Sequence, residues 1–174
     1  QVEHYYQDGI TVNGASLPWL DQADEGAFFA LVHYMDPHDP YFEHPYNGKA
    51  VARVTGEPDP SSAGELRQLY VGEIEYLDRN VGKLLDTLKA MGIYDNTLIA
   101  LTSDHGEEFH EHGGWWHGLT LYDEQIRVPL LMKWPKSATE LATGPRPGLA
   151  RLIDVAPTLL ERAGAKVPEA MQGV

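Results

Sequence analysis

Leu98-Ile99-Ala100-Leu101 runs without a break into Thr102-Ser103-Asp104-His105-Gly106-Glu107-Glu108, and no other stretch limits the possible folds as much. A short continuous apolar run followed by small and polar residues reads as a strand buried on both faces, as in parallel sheets flanked by helices. Ligands of open α/β sheets bind at the carboxyl ends of such strands, and this one delivers an aspartate and a histidine there side by side. A carboxylate and a neutral imidazole suit a borderline divalent metal. Taken alone, Asp104-His105-Gly106 reads as a turn, with Asp104 accepting a backbone N–H and Gly106 at positive φ. His110, His112 and His117 follow at once, and six of the eight histidines lie either here or between Val32 and Tyr41. That clustering shifts the reading from turn to site.

The remaining periodicities place this strand in a layered α/β arrangement. Ala27–Val32 is a second continuous apolar run and reads as a buried parallel strand. It leads into His33-Tyr34-Met35-Asp36-Pro37-His38-Asp39-Pro40-Tyr41, where two prolines exclude a helix. Ser16 caps a short helix reaching about Ala23, with Pro18 in its first turn; Asp8-Gly9 and Asn13-Gly14 look like turns. Residues 42–62, rich in proline and glycine, read as a surface loop. Ser62 and Glu65 match a capping box. Leu66, Tyr70, Ile74, Leu77, Val81, Leu84, Leu88 and Met91 then form one apolar stripe on a long core-packing helix that Gly92 ends. Thr97–Ser103 and Val128–Lys133 read as strands, 136–148 as loop, and Asp154 caps a last helix ending at Gly164. The fold class is therefore α/β, a mostly parallel sheet flanked by helices. Both histidine-bearing loops leave apolar strands, so in a parallel sheet they emerge at one edge and can converge.

Composition removes some functions. A formal charge of −13 opposes nucleic acid and anionic membrane surfaces, and an anionic substrate would need local positive charge from a metal or histidine. There is no cysteine, hence no disulfide or thiol nucleophile, and this leaves the compartment open. No apolar run approaches a membrane span. The 174 residues suit one domain or a sizeable piece of one. Gln1 and Met171-Gln172-Gly173-Val174 read as cut ends.

The motifs resemble those of the sulfatases of the alkaline phosphatase superfamily. The resemblance lies in His33 through His38 to Tyr41, in Thr102-Ser103-Asp104-His105-Gly106-Glu107, and in His117-Gly118 onward to Arg127-Val128-Pro129. Leu152-Ile153-Asp154-Val155-Ala156-Pro157, Ala163-Gly164 and Pro168–Gly173 continue it, and Tyr76-Leu77-Asp78 with Val81–Leu85 fits the long helix. It covers nearly the whole chain, in the family's order. It implies an α/β/α sandwich hydrolysing or transferring a sulfate or phosphate ester of a small molecule or glycan at a divalent metal. It places residues 1–174 as the C-terminal portion of one catalytic domain, incomplete in itself.

The resemblance also assigns roles. The metal pair falls on Asp104 and His105. Many sulfatases carry Asp-Asn there and bind calcium; a histidine suits manganese, zinc or iron better and resembles relatives acting on phosphonate or phosphate esters or moving phosphoethanolamine groups. His117 either grips the developing oxyanion or, in a two-metal relative, ligates metal. His38 binds substrate or protonates the leaving oxygen. His33 supports its loop or hydrogen-bonds inside it, Arg127 pairs with a carboxylate and holds its loop, Glu107 accepts a hydrogen bond from a neighbouring site residue, and His110 and His112 are either exposed or ligands. The family's nucleophile and other metal aspartates lie upstream of the region resembled. The isolated chain is therefore expected to be inactive, to bind metal weakly, and to self-associate through an exposed sheet edge. A non-catalytic domain that keeps the fold is the alternative of a different class.

Overall fold

The longest element of the computed structural model is a helix of 28 residues, Ala63–Ala90 (α2), against which Gly9–Gln22, Tyr41–Phe42 and Glu108–Phe109 pack. The structure describes residues 7–23, 26–48, 50–52, 57–139 and 143–174. In chain order the elements are α1 (Gly9–Gln22), β1 (Tyr41–Phe42), β2 (Ala50–Val51), α2, β3 (Ile99–Thr102), β4 (Glu108–Phe109), β5 (Trp115–Trp116), α3 (Asp123–Ile126), β6 (Leu130–Lys133) and α4 (Val155–Arg162).

The long helix and its glycine stop are as the apolar spacing predicts: Gly92 has φ +74 and donates to Lys89 O at 3.0 Å. Its most buried line, however, is Leu66, Glu73, Asn80 and Leu88, while Ile74 is 42% exposed. The line is partly polar because polar groups pack against it. Asn13 of α1 donates to Asn80 O at 2.8 Å, and the Phe42 amide of β1 donates to Glu73 Oε1. Gly9 lies so close to Asn80 that a Cβ would approach its side chain to 2.8 Å.

Several local expectations need correcting. The first helix starts at Asp8, not Ser16, because the Asp8 carboxylate accepts the Thr11 amide at 2.9 Å and so caps the helix. Ser16 instead donates back to Val12 O, and Asn13-Gly14 lies inside the helix. The capping box is not made: Ser62 Oγ donates to Asp59 O at 2.7 Å, and Asp59 caps a short 3₁₀ turn ahead of α2. Asp154 precedes α4 without capping it, because Arg151 holds its carboxylate at 2.8 and 2.9 Å. The stretch 42–62 is not all loop: β2 within it pairs with β1 as an antiparallel ribbon.

The predicted strands at 97–103 and 128–133 form as β3 and β6, but they pair antiparallel, Ile99 opposite Lys133 and Thr102 opposite Leu130. All three ladders among the described residues are antiparallel two-stranded pairs. Ala27–Val32, expected as a buried parallel strand, has no ladder partner among the described residues, with Phe29 77% and Leu31 84% exposed. A continuous apolar run becomes a buried strand only where neighbours cover both of its faces. Leu101 and Leu131 are likewise exposed on the β3–β6 ribbon. Among the described residues no helix is long and apolar enough to cross a membrane.

The core is aromatic. Tyr41, Leu66, Phe109, Trp115 and Trp116 are buried together, with Ala63, Leu69 and Tyr70 packed against them. It draws on β1, α2 and the β4–β5 hairpin, so the loop carrying His38 and the stretch carrying His117 are anchored in one cluster.

Candidate active site

The Asp104 turn is set by three hydrogen bonds, two of them local. The Asp104 carboxylate accepts the His105 amide at 3.0 Å, and Ser103 Oγ donates to His105 O at 2.7 Å. The Gly106 amide donates to Gln125 O at 2.7 Å. Gly106 is required for close approach rather than for a positive φ, because a Cβ there would lie 2.1 Å from Glu124 O.

Two loops distant in sequence meet at this turn. The His105 and His117 rings stack with centroids 3.9 Å apart, and the His38 and His117 rings are 5.8 Å apart. Each ring has its Nδ1 beside an oxygen: His105 with Gly106 O at 2.8 Å, His38 with Asp39 O at 2.7 Å, and His117 with Glu107 Oε1 at 2.9 Å. Carbonyl and carboxylate oxygens only accept, so each Nδ1 carries the proton and donates. The Nε2 atoms, on the opposite edge of each ring, are left for other work.

Glu107 holds this arrangement from beneath. It is nearly buried and accepts from His117 through one oxygen and from the Tyr41 hydroxyl at 2.6 Å through the other. Burial, and then the hydrogen bond to Glu107, push the Tyr41 phenol pKa far up, so it remains a donor. Its neighbour Glu108 is fully buried and accepts from the Gly114 amide at 2.9 Å, the His112 amide at 3.2 Å, Gln125 Nε2 at 2.9 Å and Thr120 Oγ1 at 3.3 Å. Burial alone would raise its pKa; the donors, Gln125 foremost, outweigh it and hold the carboxyl below its usual range. Trp116 and Gly118 flank His117 at φ +70 and +85. A buried tryptophan in the left-handed region is strained backbone, held here by the aromatic core.

The other sequence candidates lie apart from this group or have structural partners. His33 is exposed. His110 is at φ +72, with its ring stacked on Trp115 at 5.1 Å, and His112 stacks on Tyr122 at 3.7 Å. Arg127 does pair with a carboxylate, Asp123 at 3.8 Å, but both side chains are well exposed, a pairing of little energetic weight. Tyr41, Glu108, Gln125 and Trp116 are absent from the sequence-derived candidates. The adjacent carboxylates and paired tryptophans were visible signals, but nothing in local spacing says which donors they meet.

The metal pair fits one cation in part. With Asp104 Oδ1 taken by its neighbour's amide and His105 Nδ1 by Gly106, the free donors are Asp104 Oδ2 and His105 Nε2, 3.8 Å apart. Two donors each about 2.1 Å from a common ion lie no more than about 4.2 Å apart. Among the described residues no group of three or more His, Asp or Glu side chains could hold a metal.

Comparison with known proteins decides the family. The sulfatase family model matches residues 3–165. The chain belongs to the sulfatase family. It is 38% identical over 104 residues to an N-acetylglucosamine-6-O-sulfatase of Bacteroides thetaiotaomicron, covering 60% of this chain and 18% of that protein. A solved phosphonate monoester hydrolase from Silicibacter pomeroyi is 32% identical with a TM-score of 0.56, over 68% of this chain and 23% of its own. A structure from Bacteroides fragilis matches 94% of this chain and 38% of its own with a TM-score of 0.77; at 23% identity it bears on fold alone. The chain thus has the alkaline phosphatase-like α/β fold of these enzymes and spans about a fifth of the first of these relatives. Sulfatases generally bind a divalent metal.

Proposed function

We propose that residues 1–174 form part of the catalytic domain of a sulfatase that, in the whole protein, cleaves the sulfate ester of a small molecule or glycan. One arrangement carries this reading. Three imidazoles from two distant loops, each tied at Nδ1 to a protein oxygen, are gathered beside the free Asp104 oxygen. Asp104 and His105 would hold the divalent cation, with further ligands from outside these residues, and a nitrogen donor favours manganese or zinc over calcium. When bound, the cation supplies Lewis-acid polarisation of an ester oxygen. His117 as imidazolium donates from Nε2 to a sulfuryl oxygen as charge grows there, and Glu107 balances that positive charge. His38 passes a proton to the leaving oxygen. The nucleophile comes from outside these 174 residues and attacks sulfur in line, so the chain alone turns over no ester.

A second reading, a phosphate or phosphonate ester hydrolase or phosphoethanolamine-type transferase on the same fold, is favoured by two observations. His105 supplies a nitrogen donor, and a phosphonate monoester hydrolase is among the similar structures. Turnover of matched aryl sulfate and aryl phosphonate by the full-length protein separates the two. The first reading expects the sulfate to be cleaved faster, with Asp104→Ala abolishing activity. A faster phosphonate reverses the order, and full activity in Asp104→Ala sinks both.

A further inference from the structure

We infer that Glu107, anchored by Tyr41, is the positioning residue that turns Nε2 of His117 toward the reacting group; the inference rests on the reading of His117 given above. The Glu107 carboxylate has two partners and divides its oxygens between them. Oε1 takes the His117 Nδ1 proton at 2.9 Å, and Oε2 takes the Tyr41 hydroxyl at 2.6 Å. Tyr41 is fully buried and its ring packs against Tyr70, Phe109 and Trp116, so the carboxylate is tied to the buried aromatic core. Tyr41 also closes the loop that carries His38, three residues earlier in the chain. One carboxylate therefore fixes the orientation of His117 and joins its backbone segment to the His38 loop. In water a neutral histidine side chain prefers the proton on Nε2. Glu107 imposes the opposite tautomer, as a buried carboxylate does for the general base of a serine protease.

The test is the tautomer, read from ¹⁵N–¹H imidazole correlations of the ¹⁵N-histidine-labelled 174-residue chain without added metal, under conditions where His117 is neutral. The wild-type chain is expected to show the Nδ1–H form at His117, and an Nε2–H form overturns the inference without any variant. Glu107→Met keeps the volume and removes the acceptor, and should convert His117 to predominantly Nε2–H. Tyr41→Phe leaves the acceptor in place and should retain Nδ1–H. Equal loss in both variants would mean that packing rather than the carboxylate sets the ring, which also overturns the inference. In the full-length protein, Glu107→Met is expected to lower kcat about tenfold and to add nothing to His117→Ala. An additive loss marks a role independent of His117 and refutes positioning. Turnover untouched by His117→Ala refutes instead the reading on which it rests, so the two failures are told apart.

Discussion

Two fully buried carboxylates, Glu108 and Glu73, behave in opposite ways. Glu108 accepts from two amides, an Asn-like side-chain amide on Gln125 and a hydroxyl, and its pKa is lowered despite burial. Glu73 accepts from the Phe42 amide and faces His44 at 2.8 Å. Burial dominates there and raises its pKa, aided by the nearby Asp36 charge. Asp36, fully buried with the Gly9 amide as a donor at 2.8 Å, is raised for the same leading reason. Burial alone does not decide the charge of a carboxyl; the supply of donors does. The donor-rich carboxylate ties the 112–114 backbone to Thr120 and Gln125, and the donor-poor one fastens the Phe42–His44 segment to α2.

The widest separation between the two regions should come from the same change made in each. Glu108→Gln places an NH₂ against groups that already donate, and should cost about 3 kcal/mol by denaturant unfolding at pH 7. A loss within about 0.5 kcal/mol would show that the four hydrogen bonds do not support the site. Gly106→Ala forces apart Gly106 and the backbone leading to Gln125, the residue that supplies Glu108. About 2 kcal/mol is expected there, with loss of His105–His117 contacts by NMR. Glu73→Gln can still accept from Phe42 and donate to His44, so its change should stay within about 1 kcal/mol; a larger loss would mean that Glu73 works as an ion.

The pH dependence sharpens the contrast. Glu108 titrates below the usual 4.5 in the folded state, so its stabilisation is complete above 4.5 and fades as the pH falls through the folded value. The penalty of Glu108→Gln should hold steady from neutrality to about pH 4.5 and shrink below it. Glu73 titrates above 4.5, so its ionised form opposes folding above the folded value, and that opposition disappears as the pH falls toward 4.5. Wild type should therefore gain on Glu73→Gln between neutrality and pH 4.5, measured by paired unfolding curves. Parallel curves for the two variants would erase the distinction.

What could be read in the sequence follows from range of interaction. The α2 helix, the Gly92 stop and the β3 strand rest on patterns a few positions long, and each formed, although the buried line of α2 is partly polar. The meeting of the His38 loop with Asp104, His105 and His117 was also readable, because apolar runs ended in histidines. Tyr41 and the β4–β5 tryptophans, buried in one core, anchor the two segments where they meet. The bonds of Glu108 to His112 and Gln125 and of Tyr41 to Glu107 were not readable, since they span from 4 to 66 positions. Ala27–Val32 failed as a buried strand for a related reason, as its cover is not encoded in its own residues.

The central claim is that the two histidine-bearing loops form one cation-facing rim through Asp104 and His105. Substoichiometric Mn²⁺ added to the ¹⁵N-histidine-labelled chain tests it most directly. The expected result is selective broadening of the His105, His117 and His38 imidazole signals, abolished by Asp104→Ala. Broadening that leaves His38 or His117 untouched, or that persists unchanged without the Asp104 carboxylate, contradicts it.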